Sequence, residues 1–257
     1  MVDIRSSDAG VVRRPAAGAI GMKRDILLVH GGMHGGWCWR RVMPHIFAAG
    51  HYAVAPTLTG LGHRARLGSA ATDLDTHVED IVACIEMEEM EDFILVGHSY
   101  AGMVITGVAE RIGKRIAHLV YLDALAPLDG ESASDIVTRG QGADYSAFAD
   151  GMARPMSGYD FGLTDECDMQ WVRRRCTPQS VATLTQKLAI AGDPSKRRRT
   201  FVECTSERDG AVLMQGIAVR AASIAADPTW NHIAFAAGHD CMISHPAETA
   251  AIILSLA

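Results

Sequence analysis

The 257-residue chain is predicted to be an α/β protein: a mostly parallel sheet flanked by helices, with an inserted helical cap. Three observations predict it. Short, continuously apolar runs such as Ile94-Leu95-Val96 suit strands buried on both faces. Helical patterns alternate with these runs, and each crossover between parallel strands lays a helix across the sheet. The length, with 48% hydrophobic and 21% charged residues, suits one large globular core.

The elements follow in order. Residues 1–23 read as a loose tail, because no apolar segment follows Arg13-Arg14 to make a secretory or twin-arginine signal. Residues 25–29 are a strand that runs into the glycine-rich loop "HGGMHGGW". A helix enters with Pro44 in its first turn and stops near Gly50, and "YAVAP" is the next strand. Thr76 and Glu79 read as a capping box ahead of an amphipathic helix carrying Val78, Ile81, Val82 and Ile85. Residues 93–96 form a strand, 100–112 a helix stopped by Gly113, and 116–122 another strand. After Pro127 the rhythm breaks for about seventy residues, too many for a plain connection. This stretch, 128–196, is assigned to the cap, with a helical portion near 181–190, and 24–127 with 197–257 to the core. Strands at 200–204 and 230–235 and a helix from Pro246 complete the chain.

Composition narrows the partners. A formal net charge of -6 offers no basic field for nucleic acid, and no apolar run reaches membrane-spanning length. Six cysteines without a CxxC pair indicate neither a zinc ribbon nor a disulfide framework, so reduced thiols and a cytoplasmic location are expected. The run Lys196-Arg197-Arg198-Arg199 reads as a solvated face. A small-molecule partner is expected, and a homodimer is allowed.

The stretch "ILVGHSYAGMV" passes from strand to helix with Ser99 at the bend. Such a bend lies at the carboxyl edge of a parallel sheet, where open α/β folds place ligands. Its tightness demands small residues two before and two after the serine, here Gly97 and Ala101. Ala101 departs from the usual glycine, and Gly102 follows it. The bend also aims the Tyr100 amide at whatever Ser99 attacks. A serine that merely caps the helix is the plainer alternative.

A serine nucleophile needs a base and a carboxylate to orient that base. His239, in "AAGHD" after the last strand, is the expected base. His245 sits at a helix entrance, and His98 is expected to project away from the cleft. Glu207, Asp123 and the more remote Asp209 are the candidate acids, and triad logic alone does not separate them. The tetrahedral oxyanion needs a second amide, expected from Gly32 in the early loop. His30 and His34 lie four apart, but in a loop rather than on a helix face, so no metal site is expected.

The segments "LLVHGGMHGGWCW", "ILVGHSYAGMV", "LVYLDALAP", "CTSE" and "GHDCMISHP" resemble the α/β-hydrolase superfamily. Within it, they resemble the branch of plant methylesterases, hydroxynitrile lyases and pyrethroid-type carboxylesterases. The resemblance runs from about Asp25 to the C-terminus and implies the α/β-hydrolase fold. It implies Ser99 as nucleophile, His239 as base, and Gly32 with Tyr100 as oxyanion amides. It places the acid on Glu207, three residues after Cys204 and eight before Gln215, with Asp123 as the alternative acid. Lyases of the branch carry a threonine after the first-strand histidine and a lysine after the catalytic one. Here Gly31 and Asp240 stand instead, and an anionic Asp240 would repel cyanide.

The expected activity is therefore carboxylic-ester hydrolysis through an acyl-enzyme, with no cofactor. Tyr145, Phe148, Tyr159, Phe161 and Trp171 are candidate lining for a bulky or aromatic ester, or else the cap's own core. Alternatives are a hydroxynitrile-type lyase, an amide or carbamate hydrolase, and a non-catalytic small-molecule receptor. Cyanide release would mark the lyase, and loss of fluorophosphonate labelling in Ser99→Ala would separate a catalyst from a receptor.

Overall fold

The computed structural model describes residues 23–138, 145, 148–155, 160–206 and 212–257. Its first half contains β1 (Ile26–Val29), α1 (Met43–Ala48), β2 (Ala53–Val54), α2 (Leu74–Met87), β3 (Phe93–His98), α3 (Ala101–Ile112) and β4 (Ile116–Leu122). Then come α4 (Ala133–Thr138), β5 (Met152–Ala153), α5 (Glu166–Arg173), β6 (Gln179–Ser180) and α6 (Val181–Thr185). The chain ends with β7 (Arg199–Cys204), α7 (Val212–Ala225), β8 (Asn231–Phe235), α8 (Cys241–Ser244) and α9 (Pro246–Leu254). Six strands form one sheet in the order β2-β1-β3-β4-β7-β8, every neighbouring pair parallel.

Strand alternation explains the unbroken apolar runs. Leu27, Val29, Phe93 and Leu95 enter one core layer with Val78, Ile81 and Ile85 of α2 and Val104 and Val108 of α3. Ile26, Leu28, Ile94 and Val96 enter the opposite layer with Ile46 of α1 and Ala250 and Ile253 of α9. Neither face is left to water, so neither can be polar. Burying each such aliphatic side chain contributes about 1.5–3 kcal/mol.

Some local expectations shift. Helix α2 starts earlier than the Thr76 capping box implies: Asp73 is the cap and accepts from the Thr76 amide at 2.9 Å and from its hydroxyl at 2.7 Å. A short carboxylate reaches the orphan amides of the first turn, so Thr76 serves as donor inside it. Strand β3 continues through Gly97 and His98, to the residue before the bend. The helix expected near 181–190 ends at Thr185. Between β4 and β7 the described residues add no strand to the main sheet, and β5 and β6 pair antiparallel with each other. Among the described residues, no helix is long and apolar enough to cross a membrane. The 1–22 part of the expected tail lies outside the described residues.

Candidate active site

The parallel topology sends the chain out of β1, β3, β4 and β8 at one edge of the sheet, so Gly32, Ser99, Asp123 and His239 all follow carboxyl ends of strands. Ser99 adopts φ +54, a left-handed conformation uncommon for a residue with a side chain. The surroundings hold it there: its carbonyl accepts from the Gly102 amide at 3.1 Å and the Leu125 amide at 2.9 Å, and its own amide donates to Leu122 at 3.3 Å. Met33, Asp123 and Phe161 also have positive φ, at +63, +43 and +54. Each such residue costs on the order of 1–3 kcal/mol, a strain that clusters at functional sites.

Glycine at 97 is required, since a methyl there would meet the Ala101 carbonyl at 2.9 Å and Ile105 at 2.9 Å. The closest approach of α3 falls at Gly102, where a methyl would stand 1.8 Å from the Leu125 carbonyl oxygen. That is why Ala101 is tolerated in place of the usual glycine. The residue that cannot carry a side chain is its neighbour.

The separated side chains meet. The Ser99 hydroxyl lies 2.9 Å from His239 Nε2, and His239 Nδ1 lies 2.7 Å from Asp123 Oδ2. Serine, histidine and aspartate are 5%, 3% and 0% exposed, so water competes little for these bonds. The imidazole nitrogen that a triad acid must hold is thus bonded to Asp123, the alternative acid. Glu207 and Asp209 lie outside the described residues. Asp123 is placed there by its position: it directly follows β4, next to β3 in the sheet, and its other oxygen accepts the Cys204 amide at 3.2 Å. His245 instead packs edge-on against Phe235, with Nδ1 on the Ser244 hydroxyl, at the entrance of α9.

Gly32 and Tyr100 line the same cavity as Ser99 and His239. Among the described residues, neither amide donates a hydrogen bond, so both N–H groups are available to a ligand. The Tyr100 phenol is not: it donates to His77 Nδ1 at 3.0 Å, while His77 Nε2 donates to the Thr59 carbonyl at 2.8 Å. Gly31 supplies the tight approach in this loop, because a methyl there would meet Ser99 Cβ at 2.8 Å.

His98 departs from expectation. Rather than projecting away, it packs on the His239 ring with centroids 4.6 Å apart and donates from Nε2 to the His239 carbonyl at 3.0 Å. Burial, then the nearby His239, push its pKa down to about 3, so it is a neutral prop. Asp240 also differs. It is fully buried, accepts from His34 Nε2 at 3.0 Å, and does not line the cavity. His34 Nδ1 donates to the Gly32 carbonyl at 2.8 Å, so both ring nitrogens are donors. Burial alone would lower the His34 pKa, but Asp240 more than offsets it and raises it, and His34 in turn helps hold the Asp240 carboxyl low against its burial. With both ring nitrogens donating, His34 is paired with Asp240 as imidazolium and carboxylate, in place of the lone anion expected at 240. His30 and His34 do not face a common ion. His30 Nδ1 is bonded to the Gly31 carbonyl and its Nε2 accepts from the Leu58 amide.

The cavity holds about 190 Å3 and is walled by Leu125, Ala133, Val137, Leu184, Tyr145 and Phe161. No lysine or arginine lines it among the described residues. Trp171 is elsewhere, edge-on to Trp37 and covered by Arg175, and Phe148 does not reach the wall. Tyr159 lies outside the described residues. A larger open groove of about 490 Å3 beside Arg199 and Trp230 contains none of Ser99, Asp123 and His239. The basic run before β7 is committed locally, Arg197 to Glu110 at 2.6 Å and Lys196 to Asp193 at 3.7 Å.

Comparison with known proteins agrees with this architecture. The chain is 37% identical over 250 residues to the carbendazim hydrolyzing esterase of Nocardioides sp. (strain SG-4G), covering 90% of this chain and 99% of that protein. Methylesterase 1 of Arabidopsis thaliana is 31% identical over 130 residues, 46% of this chain and 45% of that protein. An extracellular α/β-hydrolase from a Paenibacillus species shares the fold with a TM-score of 0.75 at 19% identity, over 91% of this chain and 98% of that one. Residues 26–252 match the model of the alpha/beta hydrolase family. With that match spanning nearly the whole chain, and a serine standing on the strand-to-helix bend of a parallel sheet, this protein belongs to the alpha/beta hydrolase family.

Proposed function

We propose that the protein is a serine hydrolase that cleaves small, uncharged carboxylic esters or carbamates through an acyl-enzyme. The observation that carries this reading is the continuous line from the Ser99 hydroxyl through His239 to Asp123, at 2.9 and 2.7 Å. His239 Nε2 takes the Ser99 proton as Oγ attacks the carbonyl, and Asp123 fixes the tautomer and stabilises the imidazolium. The negative oxygen of the tetrahedral intermediate is received by the amides of Gly32 and Tyr100. His239 then protonates the leaving alcohol, and water repeats the cycle on the acyl-enzyme. Asp123 takes the role that the "CTSE" spacing assigns to Glu207.

The cavity supports the choice of substrate. At about 190 Å3 it is smaller than the ~300–1,000 Å3 usual for drug-sized ligands, which favours one aromatic ring with a short ester over long acyl chains. Mostly apolar walls, with no lysine or arginine among the described residues, favour a neutral molecule. Among the described residues the same walls offer no lysine to a departing cyanide, and the His34 imidazolium at the cavity is already paired with Asp240, which disfavours the lyase reading. The carbendazim hydrolyzing relative favours carbamates as a second substrate class for this chain. Six free cysteines support a reducing, cytoplasmic setting. We take the 128–196 insertion as the cap over this cavity, since Tyr145, Gln179 and Leu184 within it reach the wall.

A panel of p-nitrophenyl acetate, benzoate and octanoate, together with carbendazim and an aryl amide, tests the reading. Acetate and benzoate are expected to be cleaved faster than octanoate, and Ser99→Ala is expected to abolish all turnover. Cyanide release from a cyanohydrin without ester cleavage, or equal rates in Ser99→Ala, would overturn it.

A further inference from the structure

The loop that carries the Gly32 amide is gripped from two sides. The Gly32–Met33 peptide has its carbonyl held by His34 Nδ1 at 2.8 Å and its N–H held by Gln179 Oε1 at 2.9 Å. The next carbonyl, that of Met33, accepts from the Thr177 amide at 2.9 Å. Gln179 and Thr177 belong to the insertion, about 145 residues further along the chain, as the sequence separation of 146 for Gln179 shows. Met33 itself sits at φ +63, so the loop conformation is one that a free chain would seldom populate.

Gln179 is built for one task. It is 1% exposed, its backbone pairs with Ala153 in the β5–β6 ribbon, and its Nε2 donates to the Thr183 hydroxyl at 2.8 Å. That hydroxyl donates onward to the Ser180 carbonyl at 2.7 Å, which fixes the carboxamide with its oxygen facing the loop. The oxygen also packs against Gly32: a methyl at position 32 would stand 2.8 Å from it. A peptide pinned at both ends cannot rotate as a unit. The Gly32 N–H belongs to the preceding Gly31–Gly32 peptide, whose carbonyl is held by His30 Nδ1 at 2.8 Å, so the Gln179 clamp restricts its tilt from the Met33 side, through the two dihedrals of Gly32.

We propose that Gln179 is a positioning residue for the oxyanion amide, so that the insertion sets the transition-state site as well as walling the cavity. This rests on the serine-hydrolase reading above. An oxyanion donor acts only if it is aimed before the reaction begins, and losing one costs about 10²–10³ in turnover. Releasing the peptide that aims it is expected to cost part of that, roughly ten- to a hundredfold.

The test uses Gln179→Met, Gly32→Ala and the double variant. Two readouts are taken: kcat and KM on p-nitrophenyl acetate, and the second-order rate of Ser99 modification by a fluorophosphonate, whose phosphoryl oxygen occupies the same site. Gln179→Met is expected to lower kcat and the modification rate together, roughly ten- to a hundredfold, with KM within about threefold. Gly32→Ala displaces the same carboxamide, so the double variant should be no worse than the worse single one. If Gln179→Met does not fold, Gln179→Asn, one methylene too short to reach Met33, is read by the same numbers. Unchanged rates, a change in KM alone, or fully multiplying effects would overturn the proposal. A wild-type protein not labelled at Ser99 would defeat the hydrolase reading and this inference with it. Labelling at Ser99 with indifferent Gln179 variants would defeat this inference alone.

Discussion

Replacing Asp123 by asparagine should be close to isosteric, yet its consequence can be worked out from two hydrogen bonds. Asp123 receives the Cys204 amide on one oxygen at 3.2 Å and His239 Nδ1 on the other at 2.7 Å. The carboxylate is fully buried, so neither donor can turn to water. In Asp123→Asn the Cys204 N–H still demands an acceptor, which places the amide oxygen there and the NH₂ group against His239. His239 must then accept at Nδ1 and carry its proton on Nε2, the nitrogen that faces Ser99. A base protonated on that side cannot take the serine proton. A wrong tautomer of this kind costs about 10⁴-fold in kcat, or about 5.5 kcal/mol of transition-state stabilisation. The assay is kcat/KM on p-nitrophenyl acetate for Asp123→Asn beside Glu207→Gln, with circular dichroism to show that both fold. A four-decade loss is expected in the first and less than about tenfold in the second. A large loss in Glu207→Gln with Asp123→Asn nearly active would refute the assignment of the acid.

Other outcomes follow from the same structure. Gly102→Ala sets a methyl 1.8 Å from the Leu125 carbonyl oxygen and should destabilise by more than about 2 kcal/mol or prevent folding, whereas Ala101→Gly should cost no more than about 1 kcal/mol, both read by urea unfolding. Asp240→Asn leaves His34 buried without its carboxylate and should lower stability by about 3 kcal/mol in the same assay; a change under about 0.5 kcal/mol would contradict the ion pair. His30 and His98 are pushed down to about 3 from 6.5, chiefly by burial, so the unfolded chain binds their protons at higher pH than the folded one does. Their contribution is therefore complete above pH 6.5 and is lost as the pH falls toward 3, at about 2 kcal/mol each by pH 5. His34, raised by Asp240, offsets part of this, and the urea midpoint should still fall between pH 7 and pH 5; an unchanged or higher midpoint would contradict it.

Much of this was legible in the chain because the relevant forces are local. Apolar runs that alternate with helical periods announce a parallel sheet, and β1, β3, β4, β7 and β8 fall within one to two residues of where those runs lie. Ser99 and His239 are legible because each sits where a strand ends, and parallel topology brings strand ends to one edge. The acid was harder. Asp123 and Glu207 both follow strands that adjoin His239, and no spacing rule foretells that an Asp123 oxygen stands 2.7 Å from Nδ1. Gln179 left no signal at all: "TPQS" has no periodicity, and its partner Met33 is far away in the chain. His34 and Asp240 were visible as residues but not as a pair, since a buried ion pair between two loops has no spacing rule.

The central claim is tested most directly by intact-mass measurement after treatment with diisopropyl fluorophosphate. The wild-type protein should gain one diisopropylphosphoryl group, mapped to Ser99, while Ser99→Ala gains none and His239→Ala is modified slower by about 10³ or more. An unmodified wild-type protein, or an adduct that persists in Ser99→Ala, would contradict it.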